Sequence, residues 1–213
     1  MIEALEPSEV RVLGSLIEKE ATTPEYYPLS LNALVNACNQ KSNRDPVVEY
    51  DDEVVLAALE RLRALGLAFI TTGGRVTKYS QRISETLNLG RRELAVLCVL
   101  LLRGPQTLGE IKDRSERMFA FGDLSEVETV LDRLGEWPAG ALATKLPKQP
   151  GQKEIRFAHL LSGEPAVEVG TAAATSTTPP SSRIVQLEID LQQLRAEFQE
   201  LKGRFENLEA QLK

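Results

Sequence analysis

After Gly66 the hydrophobic period of this chain changes from 3.6 to 2, and the same change recurs before Ala141. The switch constrains the fold strongly, because helical spacing buries a stripe whereas alternation buries one face of a strand. Upstream of it, Val10, Leu13, Leu16 and Ile17 share one helical face behind Pro7 and Ser8. Leu34, Val35 and Cys38 share a second face, with Ser30 placed as its cap. Val55, Leu59, Leu62 and Leu65 share a third, opened by Asp51, Asp52 and Glu53 and stopped at Gly66. "LAFITT" and "RVTKYS" then read as strands joined at Gly73-Gly74. Three helices followed by a hairpin is the order of a winged helix, whose hairpin is the wing.

The order repeats. "RRELAVLCVLLLRG" resembles "SEVRVLGSLIEKE", Glu93 matching Glu9 at a shift of 84 residues. "QTLGEIKDRSERM" stands at the second helix, and "LSEVETVLDRL" matches "DDEVVLAALERL" at a shift of 72. "ALATKL" and "EIRFAHLL" flank a longer second wing. The two shifts differ because the first half carries extra residues between its first and third helices, partly around "NACNQKSNRDPVVEYDDE". The expected architecture is mainly α with small β wings: winged-helix units at 1–82 and 83–163, a tether at 164–182 and a coiled-coil helix at 183–213.

The tether expectation rests on "GEPAVEVGTAAATSTTPPSS", small and polar with paired prolines. Beyond it Ile184, Leu187, Leu191, Leu194, Phe198, Leu201, Phe205, Leu208 and Leu212 alternate steps of three and four, a coiled-coil seam. With Ile184 at position a, the interhelical pairs Asp190–Arg195, Glu197–Lys202 and Arg204–Glu209 are opposite in sign, which favours a parallel homodimer. Such exposed pairs select orientation rather than supply stability. The competing reading is one amphipathic helix folded back on its own chain.

The 213 residues carry 25 basic and 31 acidic side chains, net −6, and no segment is basic overall, so bulk charge does not hold nucleic acid here. Cys38 and Cys98 fall in different helical patterns and read as reduced thiols of a cytoplasmic protein. The longest uncharged apolar run, Leu94 to Leu102, is too short to span a bilayer, and no membrane association is expected. His159 is the sole histidine and sits near a strand end, without a triad partner. GxSxG, HExxH, paired CxxC and phosphate-loop spacings do not occur, so the expectation is a non-enzyme without cofactor or metal. Asp51, Asp52 and Glu53 are explained by helix capping better than by a divalent cation.

A winged helix that reads DNA usually inserts its third helix into the major groove. Here those helices would present Asp51, Asp52 and Glu53, or Asp123, Glu126 and Glu128, and phosphates would repel them. Basic and amide side chains lie elsewhere: Asn39, Gln40, Lys41, Asn43 and Arg44 in the long turn, Arg75 and Lys78 on the first wing, and Lys145, Lys148, Lys153 and Arg156 on the second. These are the candidate contacts for DNA or for another protein. The turn itself has a structural use for Asn39, Ser42, Asn43 and Asp45, with Pro46 holding its exit extended, but requires neither charge of Lys41 and Arg44.

"TTPEYYPLSLNALVNACNQKSNRDPV" closely resembles the signature of the YceH-like family of bacterial proteins, and "RVTKYSQR", "LLLRGPQTLGEI", "FGDLSEVE" and "PGQKEIRFAHLLSG" resemble its later blocks in order. The resemblance covers residues 5 to 163. It implies tandem winged-helix domains and a DNA-binding or regulatory label, supplies no catalytic residues, and places Asn39 to Arg44 and Pro46 as a candidate patch. The resulting expectation is a DNA-binding regulator that uses the 39–46 turn and the wings; the alternative is a scaffold binding another polypeptide.

Overall fold

The structure, a computed structural model, describes residues 3–74, 76–148 and 152–164, all within one unit spanning Met1–Val167. Arg75, most of the expected tether and the coiled-coil positions Ile184 to Leu212 lie outside the described residues.

The first half runs α1 (Pro7–Thr22), a single 3-10 turn (Pro24–Tyr26), α2 (Leu31–Cys38), α3 (Asp52–Ala64), β1 (Ala68–Thr71) and β2 (Lys78–Gln81). A short helix that the sequence pattern did not reveal, α4 (Ile83–Leu87), leads to α5 (Arg91–Arg103), α6 (Leu108–Ser115), α7 (Leu124–Gly135), β3 (Ala143–Lys145) and β4 (Phe157–His159). Among the described residues the protein is therefore mainly helical, with two small antiparallel hairpins.

Local chemistry sets the boundaries. Ser30 Oγ accepts from the Ala33 N–H at 3.4 Å, and Asp51 Oδ1 from the Val54 N–H at 2.9 Å, so both anticipated caps satisfy donors left free by the first helical turn. Thr107 and Asp123 do the same for α6 and α7. Gly66, φ +71°, reverses the chain after α3 where a Cβ would be strained. The Tyr27–Pro28 and Asp45–Pro46 peptides are cis.

The repeat extends to tertiary detail. Glu9 is buried in the first turn of α1 and lies 3.8 Å from Arg61 of α3; Glu93 is buried in the first turn of α5 and lies 2.9 Å from Arg133 of α7. Just before α2, Leu29 exchanges two backbone hydrogen bonds with Tyr79 of β2, at 3.0 and 2.8 Å. Just before α6, Gln106 does so with Phe157 of β4, at 2.9 and 2.8 Å. Each half thus ties the entry of its second helix to the outgoing strand of its hairpin.

One continuous apolar core runs through both halves. Its axis is α5, in which every residue from Ala95 to Leu102 is buried. A helix apolar all round must be covered on all sides, and α5 packs on α1 on one side and on α6 and α7 on the other. At the α1–α5 crossing Gly14 removes the obstacle: a Cβ there would lie 2.8 Å from Leu102 Cδ2 and 3.2 Å from Leu101 Cβ. Among the described residues no helix is long and apolar enough to cross a membrane.

Candidate functional site

The long turn between α2 and α3 is held from inside. Asn39 brackets Tyr50 across the loop, Nδ2 donating to its carbonyl at 2.7 Å and Oδ1 accepting from its N–H at 2.8 Å. The last carbonyls of α2 lack helical partners and carry the negative end of its dipole, which favours cationic donors. Arg44 supplies one, donating to Ala37 O from Nε at 3.1 Å and from Nη2 at 2.8 Å. Arg11 of α1 supplies another, donating to Cys38 O at 3.1 Å and to Pro46 O at 2.6 Å. Burial, then the like charge of Arg44, lowers the Arg11 pKa.

Arg44 also forms a fork with Glu18 of α1, at 3.1 and 2.6 Å, and its side chain is fully buried. This corrects the sequence expectation for Arg44: its guanidinium is engaged with the helix end and Glu18, and none of it faces solvent. Burial pushes the Glu18 carboxyl up, but the bonds and charge of Arg44, reinforced by Lys19, outweigh it, and the net result lies below the ordinary carboxylate range.

The turn also reaches the second half. Asn43 adopts φ 60°, a conformation asparagine tolerates, and its Oδ1 accepts from Arg103 Nη2 at the end of α5. The Asp45 N–H donates to Leu102 O at 2.9 Å, satisfying a final-turn carbonyl of the same helix.

What this framework leaves outside is an open polar groove of about 560 Å³, lined by Glu18, Lys19, Thr22, Gln40, Lys41, Ser42, Asn43 and Arg117. A smaller depression sharing Glu18, Thr22, Asn43 and Arg117 adds Arg103 and Arg114. Lys41 is exposed and makes no ion pair with described residues, whereas Gln40 Oε1 accepts from Lys19 Nζ at 3.4 Å. Lys19, Arg103 and Arg114 lie in the last turns of α1, α5 and α6, and Arg117 follows α6. Each has the local reason that a cation suits a helix C-terminus. Sequence reasoning missed all four, because the signal in each helix was ordinary capping and only the fold gathers them. Burial, followed by the charges of Arg114 and Arg44, lowers the Arg103 pKa.

The other anticipated residues lie elsewhere. Lys78 opens β2 and lines neither groove. Lys145, Lys148 and Lys153 surround a different, partly apolar groove at the second hairpin. Arg156 braces that hairpin, donating to Pro105 O at 2.7 Å and Glu110 Oε2 at 3.1 Å.

The thiols are buried, and desolvation pushes Cys38 up to about 11 and Cys98 higher still. Among the described residues His159 Nδ1 is buried without a hydrogen-bond partner, and burial pushes the imidazole down to about 4. The folded state therefore holds the neutral form, while the unfolded chain takes up a proton near its ordinary pKa of about 6.5. Stability contributed by neutral His159 is complete above about pH 6.5 and declines as pH falls toward 4. Urea unfolding from pH 7 to 4.5 is expected to show this decline, and His159→Gln to flatten it.

The described residues thus present an open polar groove whose lining brings Lys19, Lys41 and Arg117 together beside the turn. A family model described as "Protein of unknown function, DUF480" matches residues 5–152, and the chain belongs to this family. A UPF0502 protein of Solibacter usitatus is 54% identical over 193 residues, 89% of this chain and 92% of the relative. Similar relatives bearing the same description occur in Citrifermentans bemidjiense, 58% identical over 76% of this chain and 75% of the relative, and in Pelobacter propionicus, 60% identical over 75% and 73%.

Proposed function

We propose that this chain is a non-catalytic, cytoplasmic DNA-binding regulator of the YceH-like kind, built from two winged-helix units and paired as a parallel homodimer through residues 183–213. The observation that carries the reading is the gathering of Lys19, Lys41 and Arg117, with Arg103 and Arg114 beside them, around one open groove. Phosphates are the anions such a groove accommodates, and the paired bridges at Leu29–Tyr79 and Gln106–Phe157 support the winged-helix assignment of both halves. Contact lies at the groove and the first hairpin rather than at α3 and α7, whose first turns are acidic. With about four phosphates neutralised, affinity for a duplex falls on the order of a hundredfold between 50 and 200 mM salt. Retention on immobilised duplex across that range is the test; salt-insensitive or absent retention sinks the reading.

A second reading, a protein-binding scaffold, is favoured by one observation. Val54 and Leu56 of α3 are each 37% exposed beside the acids of the helix start. An acidic and apolar helix face suits a polypeptide better than DNA.

A further inference from the structure

At the second hairpin lies an open groove of about 390 Å³ unlike the polar one beside the turn. Its walls include Leu108 in the first turn of α6, Leu124 in the first turn of α7, Ile155, and Phe157 of β4. Leu124 is 47% exposed and, with Leu108, Ile155 and Phe157, gives the groove an apolar side open to a ligand. Lys145, Lys148 and Lys153 line the same groove. None of the three makes an ion pair with a described residue, although Glu128 and Glu154 are also in the lining. Arg156, next in sequence to Ile155, shows the contrast, since it is paired with Glu110 at 3.1 Å. Among the described residues of the lining, three ammonium groups stand against two carboxylates, a surplus of one positive charge.

We propose that this groove binds a small monoanion with an apolar body, a carboxylate on a medium-length acyl chain. Its head sits among Lys145, Lys148 and Lys153, and its chain covers Leu124, Ile155 and Phe157. The single surplus charge selects a monoanion over a polyphosphate, and the apolar walls select a ligand with a tail, which a nucleic-acid backbone lacks. At about 390 Å³ the open groove has room for a medium-length chain together with its head. The proposal is independent of the basic groove at Lys41 and Arg117.

Titration of the full-length protein with decanoate, followed by methyl NMR and calorimetry, tests it. Decyltrimethylammonium supplies the same chain with the opposite head, and acetate supplies the head alone. The expected result is saturable one-to-one binding of decanoate, at least tenfold tighter than either control, with shifts at Leu108, Leu124 and Ile155. Lys148→Glu combined with Lys153→Glu, and separately Leu124→Asn, should each weaken decanoate at least tenfold while leaving the unfolding midpoint in place. Both changes are at exposed positions. Equal affinity for decanoate and decyltrimethylammonium, shifts confined to other methyls, or indifference to both variants would overturn the proposal. So would a DNA duplex that shifts Leu124 and Ile155 where decanoate does not, because the groove would then belong to a nucleic-acid surface. Loss of DNA retention on changing Lys41 and Arg117 leaves the decanoate result untouched, so the two proposals fail separately.

Discussion

Glu18→Ala is expected to cost about 3–5 kcal/mol, because it leaves the guanidinium of Arg44 buried without its counter-charge. The Arg44 side chain has no exposed surface through which water could replace the lost carboxylate, and its remaining acceptors are neutral carbonyls of the turn and of α2. For a chain of this size the loss corresponds to a fall in melting temperature of about 10 °C. The double variant Glu18→Ala with Arg44→Ala should lose less than the sum of the single changes, since the two residues form one pair. The pair also sets a pH response. Glu18 titrates below the ordinary carboxylate range when folded, so its contribution is present above the unfolded carboxyl pKa of about 4.3 and is lost as pH falls through the folded value. That window lies below the range in which His159 acts. Thermal melts from pH 7 to 3 should therefore show two declines, the lower one reduced in Glu18→Ala, with Glu110 and Asp123, also lowered, accounting for what remains.

Gly14→Val carries the next largest effect, a loss of about 2–3 kcal/mol from overpacking. The added Cβ alone would lie 2.8 and 2.9 Å from Leu102 Cδ2 and Cγ, and the branch of valine extends further into the contact. Leu101 and Leu102 are themselves buried in the shared core, so α5 has little room to retreat from α1. The same displacement would stretch the contact in which Cys98 Sγ donates to Gly14 O at 3.4 Å, and would pull on the bond from the Asp45 N–H to Leu102 O. Gly14→Ala should be milder, because the gain in helix propensity, about 0.5–1 kcal/mol, offsets part of the clash. Denaturant unfolding of the three proteins orders them glycine, alanine, valine; a valine variant as stable as the parent would show that the halves do not pack through this crossing.

Much of this fold can be read from residues in isolation because its determinants are local. Ser30 and Asp51 cap the helices they precede, Gly66 takes the left-handed turn, and the matched Glu9 and Glu93 mark the starts of equivalent helices. What could not be read depends on chain segments far apart in sequence. Lys41 and Arg44 stand three positions apart in the same polar turn and look alike as sequence. They are separated only by Glu18, which lies 26 residues before Arg44 and claims its guanidinium. Lys19, Arg103, Arg114 and Arg117 each look like an ordinary helix-end cation, and they form a groove only because the α1–α5 crossing brings those helix ends together. The short helix α4 escaped notice because five residues hold too little periodic signal.

The central claim, that the groove beside the turn holds a phosphate backbone, is tested most directly by the slope of log affinity against log salt for one duplex. The parent protein is compared with Lys41→Gln combined with Arg117→Gln. The groove as described predicts a slope of about −3 to −4 for the parent and one shallower by roughly two for the variant, each lost phosphate contact removing about one. The variant's unfolding midpoint should stay within about 0.5 kcal/mol, since Lys41 and Arg117 are outside the core. A parent slope near zero, or a slope that the two substitutions leave unchanged, would contradict the claim.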